Sequence, residues 1–67
     1  LRYTHEKLRA RRKKSGISLT FIAKELGYIG ASGYYNIEIG RKKPDVQQAR
    51  IIAGILNTTI EELFFEN

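Results

Sequence analysis

Apolar residues recur at helical spacing along this chain, and each such stripe is cut off within a few turns by residues that end helices. The breaks fall at Ser15-Gly16, Gly27, Gly40 and Asn57. They leave five segments, read as helices over residues 4–14, 18–26, 31–39, 46–56 and 60–64. Thr4, Ser18 and Gly30 stand at the N-caps of the first three. Asp45 with Gln48, and Thr59 with Glu62, have capping-box spacing before the last two. The inward faces are Leu8, then Ile22, Ala23 and Leu26, then Tyr34 and Ile37, then Ala49, Ile52, Ala53 and Leu56. Gly33 weakens the third helix by about 1 kcal/mol relative to Ala. Alternation of apolar and polar residues never lasts, so no strand is expected. Short helices with tight turns imply an all-α, compact five-helix fold, with residues 1–67 as one domain. A deep pocket is hard to build at 67 residues, so function is expected on the surface.

The charge is unevenly placed. Residues 2–43 hold eleven Lys or Arg against three Glu, while residues 51–67 hold three Glu and no Lys or Arg. A basic surface attracts polyanions, nucleic acid foremost; solvation of exposed helix faces is the plainer alternative. The chain has no cysteine and one histidine, so thiolate metal sites and disulfides are excluded. His5 lacks partners for catalysis or metal binding and reads as an exposed N-terminal residue. No nucleophile–base pair or phosphate loop is present, so no enzyme, cofactor, metal or small-molecule ligand is expected. No apolar run approaches the roughly 20 residues that span a bilayer, and no signal-peptide pattern follows the basic opening. A cytoplasmic location and no membrane partner are the matching expectations.

The segment SLTFIAKELGYIGASGYYNIEIGRKKP, residues 18–44, resembles the Cro/repressor (xenobiotic-response-element) helix-turn-helix family. Ser18, the Ile22-Ala23 pair, Leu26-Gly27, Ile37-Glu38 and Gly40-Arg41-Lys42-Lys43-Pro44 carry the likeness. Leu8-Arg9, Arg12 and the stretch LNTTIEELF at 56–64 extend it over nearly the whole chain. The resemblance implies a phage-repressor-like domain whose motif covers about residues 18–39. Its second helix enters the DNA major groove and its first crosses the backbone. It implies a prokaryotic or phage transcription regulator, a repressor acting by operator occupancy on double-stranded DNA as a homodimer. Two departures stand out. The interval from Gly27 to Glu38 is one residue longer than in the commonest members, with the extra residue placed near Tyr28-Ile29; a subgroup with a GYxSxSGY-like turn is similar. Leu19 also stands where a phosphate-contacting Gln is frequent, leaving Thr20 or a backbone N–H to substitute.

On this alignment Ala31, Ser32, Tyr35 and Asn36 face the groove. Asn36 has the amide that can bond adenine bidentately, and Ala31 suits a thymine methyl. Ser32 suits a base or a phosphate, and Tyr35 a sugar or phosphate. Arg41, Lys42 and Lys43, with Thr20 and Arg9, are the expected phosphate contacts, which set orientation and carry no sequence information. The resemblance also pairs Arg12 with Glu38 in a structural salt bridge. Tyr3 and Tyr28 read as packing residues. Leu63-Phe64-Phe65 is either a dimer surface or the closure of the core, with at least one phenylalanine buried. A protein-interaction module of the same fold, such as an antitoxin or anti-repressor component, is the main alternative; an RNA binder ranks lower.

Overall fold

Five helices form, α1 (Glu6–Ser15), α2 (Leu19–Glu25), α3 (Ala31–Glu38), α4 (Val46–Ile55) and α5 (Ile60–Phe64), in a computed structural model that describes residues 1–67. Local chemistry sets where most of them begin. Ser18 accepts a hydrogen bond from the Phe21 N–H and opens α2. Asp45 and Gln48 form a complete capping box at α4. Thr59 accepts from the Glu62 N–H at α5, and this half of the expected box is the one that forms. Asn57 takes a left-handed conformation after α4, with φ of 56°. Its short polar side chain tolerates that region better than most.

Helix α1 departs from its expected start. It begins at Glu6 with His5 at the N-cap. Thr4 lies one position further out and is buried, its Oγ1 accepting from the Glu6 N–H at 3.2 Å. Thr4 therefore still satisfies a first-turn donor, from outside the helix. His5 is a second correction. It is not an exposed residue: its imidazole lies against the Cα of Gly40, where an added Cβ would overlap the ring.

The core joins all five helices through Leu8, Ile22, Tyr34, Ile37, Ile52, Leu56, Leu63 and Phe64, all fully buried. Helices α2 and α3 pack most extensively on each other, and the small Ala23 of α2 is buried. Helix α1 packs on α3 and α5, and α4 supports α2 and α5. Leu63 and Phe64 are spent on this core, while Phe65 is half-buried.

The expectation of no strand fails at the chain ends. Strand β1 (Arg2–Tyr3) pairs antiparallel with β2 (Phe65–Glu66), Arg2 opposite Glu66 and Tyr3 opposite Phe65. Two residues are too few to show a period, and the pairing joins segments remote in sequence. The clasp is reinforced by the Arg2–Glu66 ion pair at 2.6 Å and by Lys7 Nζ donating to the Phe65 carbonyl at 2.7 Å. The Tyr3 and Phe64 rings stack with centroids 6.3 Å apart. No helix is long and apolar enough to cross a membrane.

Candidate nucleic-acid interface

The connection between α2 and α3 begins at Gly27, whose φ of +89° suits a residue without Cβ. The Tyr28 N–H returns to the Ala23 carbonyl at 2.9 Å, closing the end of α2. The chain then turns outward through Ile29, which is fully exposed, to extended Gly30 at the N-cap of α3. The longer turn is thus divided: Tyr28 packs inward and Ile29 stands in solvent.

Helix α3 has two unlike faces. Tyr34, Ile37 and Glu38 are buried. Ser32 and Tyr35 are exposed, and Ala31 and Asn36 are partly exposed. Ala31 and Tyr35, like Ser32 and Asn36, are four residues apart and so are neighbours on the helix surface. The four candidate groove residues therefore share one side of α3, opposite its core side.

The inward side is fixed by a buried ion pair. Arg12 Nε meets Glu38 Oε2 at 2.7 Å and Arg12 Nη2 meets Oε1 at 3.0 Å, a bidentate fork. Arg12 Nη1 also donates to the Ile17 carbonyl at 2.9 Å. Only 1 % of the Glu38 side chain and 12 % of the Arg12 side chain are exposed. One arginine thus ties α1, the α1–α2 connection and α3 together. The hydrogen bond from Arg12 to Glu38 raises the guanidinium further above its ordinary value. The adjacent Tyr34 hydroxyl is buried without a hydrogen-bond partner. Burial, with the charge of Glu38 adding to it, raises that phenol well above its ordinary value.

The basic loop after α3 folds back on the helix. The N–H groups of Arg41 and Lys42 both donate to the Asn36 carbonyl, at 2.9 and 3.1 Å. All three basic side chains are exposed, but they are not equivalent. The Lys43 ammonium lies 4.6 Å from the centroid of the Tyr3 ring, toward the terminal clasp. Lys42 Nζ donates to the Tyr28 hydroxyl at 2.6 Å. Thr20 is exposed in the first turn of α2, and Arg9 is exposed on α1. Leu19 is half-buried against the core and presents no polar group.

Sequence reasoning missed the role of Tyr28. It read Tyr28 as packing and Gly33 as a weak point of α3. The two belong together: an added Cβ on Gly33 would overlap Cγ, Cδ1 and Cδ2 of the Tyr28 ring. The Tyr28 hydroxyl accepts from Lys42 and from Gln48 Nε2, the latter at 2.9 Å. The bond from Lys42, aided by that from Gln48, lowers the phenol below its ordinary value. An aromatic residue followed five positions later by a glycine inside a helix was the available signal.

A two-helix unit with a glycine turn, a partly polar outer face on its second helix and a basic loop behind it defines a helix-turn-helix DNA-binding domain. The helix-turn-helix family model matches residues 8–63, and the chain belongs to this family, of Cro/repressor type. It is a DNA-binding helix-turn-helix regulator. No curated protein and no solved structure matches the chain.

Proposed function

We propose that this chain is a sequence-specific regulator that binds double-stranded DNA as a homodimer and represses transcription by occupying its operator. The observation that carries the reading is the outer face of α3. Ala31, Ser32, Tyr35 and Asn36 line it, on a helix held from behind by the buried Arg12–Glu38 pair. Asn36 reads adenine through its amide, and Ala31 meets a thymine methyl. Ser32 bonds a base or phosphate, and Tyr35 a sugar or phosphate. Arg41, Lys42 and Lys43, with Thr20 and Arg9, hold the phosphate backbone. One such helix covers few base pairs, so two copies on half-sites about one helical turn apart supply the specificity. This activity needs no cofactor, metal or catalytic group.

Selection from a random duplex DNA pool at moderate salt tests the reading. Recovery of a palindrome with half-sites about 10 bp apart is expected. Recovery of no motif, with weak binding that fades steeply in salt, would leave only generic attraction to phosphate. A second reading, a protein-interaction module of the same fold, draws on one observation. Tyr3, Val46, Ile60 and Phe65 line a mainly apolar groove beside the basic loop. Undetectable DNA binding by the folded chain would favour it.

A further inference from the structure

We propose that Tyr28 is a positioning residue for DNA binding, its phenol holding the Lys42 ammonium at a phosphate-contacting position beside α3. The proposal deepens the DNA-binding reading above and rests on it.

The ring comes first. It sits on Gly33 of α3, where an added Cβ would overlap Cγ, Cδ1 and Cδ2 of the ring. Tyr28 is thereby registered on the recognition helix itself. Its hydroxyl then reaches across to two other elements. Lys42 Nζ donates to it from the basic loop at 2.6 Å, and Gln48 Nε2 donates from α4 at 2.9 Å. Gln48 cannot turn its amide freely, because its Oε1 accepts from the Asp45 N–H at 3.1 Å. The phenol oxygen is therefore aimed by a fixed partner. Lys42 is held at its other end as well, where its N–H donates to the Asn36 carbonyl at 3.1 Å. Lys42 is thus tied at its backbone to α3, which carries the candidate base readers, and at its ammonium to the Tyr28 phenol that packs on the same helix.

Lysine is a compact charge on a long, freely rotating stem. Holding that stem in the free protein lowers the ordering cost of binding. The tether does not consume the charge. An ammonium has three N–H donors, and the bond to Tyr28 takes one. The α2–α3 turn thus brings a phenol against α3.

The test uses the full chain and one fluorescent duplex carrying the selected site, titrated over a range of salt. Four proteins are compared: the parent, Tyr28→Phe, Lys42→Ala and the double variant. Phenylalanine keeps the ring on Gly33 and removes the hydroxyl. Tyr28→Phe is expected to weaken binding about two- to tenfold, the range of one net hydrogen bond. It should also make the slope of log K against log salt shallower by up to about 0.9, one phosphate contact. Lys42→Ala should match or exceed both changes. The double variant should bind like Lys42→Ala alone, because Tyr28 acts through Lys42. An unchanged affinity and slope in a folded Tyr28→Phe chain would overturn the proposal. So would a double variant whose loss is the product of the two single losses. A Tyr28→Phe chain that no longer folds would also overturn it, because the hydroxyl would then serve the stability of the fold rather than the placement of Lys42. A parent chain that binds no duplex at any salt would instead overturn the DNA-binding reading itself.

Discussion

The side of the molecule proposed to meet DNA, α2, α3 and the basic loop, adds a buried polar anchor to its apolar packing. On the support side, α4, α5 and the terminal strands, the polar side-chain contacts sit at helix caps and in the exposed terminal clasp. On the first side, Arg12 grips Glu38 through two bonds and Tyr28 joins Lys42 to Gln48. On the second, Ala49, Ile52, Ala53, Leu56, Leu63 and Phe64 carry the packing, and the Arg2–Glu66 pair lies largely in solvent. The difference reflects what each side must do. Apolar packing supplies stability without prescribing orientation, whereas a bidentate ion pair has one good geometry. A helix that presents a fixed face to DNA gains from the second kind of contact. A buried ion pair is a weak source of net stability against an apolar replacement, so here it is best understood as a device for position.

The comparison can be broken by substitution. Phe64→Ala should have the largest effect. Loss of a buried phenylalanine costs about 3–5 kcal/mol. A domain of this size rarely has more than about that much in total, so the melting transition should vanish near room temperature. Arg12→Ala leaves Glu38 buried and unpaired, at a cost of about 3–5 kcal/mol. Melting should fall by more than 10 °C, at roughly 4–8 °C per kcal/mol. If both melting and DNA affinity stay unchanged, the pair is not what holds α3. Gly33→Ala sets about 1 kcal/mol of helix propensity against about 1–3 kcal/mol of overpacking on the Tyr28 ring. A net loss is expected in a melt, together with weaker DNA binding as Tyr28 is displaced.

Tyr34→Phe should do the opposite of these and stabilise by up to about 1 kcal/mol, since it removes a buried hydroxyl without a partner. Its effect has a pH signature. The folded phenol is raised above its unfolded value, so its contribution is intact below about pH 10 and is lost as pH rises. The stability difference between Tyr34→Phe and the parent should therefore widen above about pH 10, read from denaturant melts. A constant difference would mean the hydroxyl is solvated. Asn36→Ala is expected to have the smallest effect on stability and a selective one on function. Selected sites should become degenerate at one base position, at about 1–3 kcal/mol of lost discrimination.

Much of the fold was legible because its signals are local. Ser18, the Asp45–Gln48 pair and Thr59 each cap a helix within three residues of themselves. The stripe from Ala49 to Leu56 repeats at helical spacing. The terminal clasp was hidden because Arg2 and Glu66 are 64 positions apart and each strand has two residues. His5 was misread for a related reason: nothing near it in sequence says that Gly40 will offer it a flat backbone surface. The candidate groove residues came from aligning the motif, whereas the Tyr28 node came only from the fold. Its partners Lys42 and Gln48 lie 14 and 20 positions away, and a glycine inside a helix reads first as a weakness.

The central claim, that the polar face of α3 and the loop behind it meet DNA while the apolar side supports them, has a direct test. Backbone amide NMR spectra of the labelled chain, titrated with a duplex carrying the selected site, should show shifts concentrated in Gly30–Asn36 and Arg41–Lys43, with Ala49–Leu56 and Leu63 nearly still. Shifts centred instead on Tyr3, Val46, Ile60 and Phe65, with α3 unmoved, would contradict the account and assign the binding surface to the apolar groove.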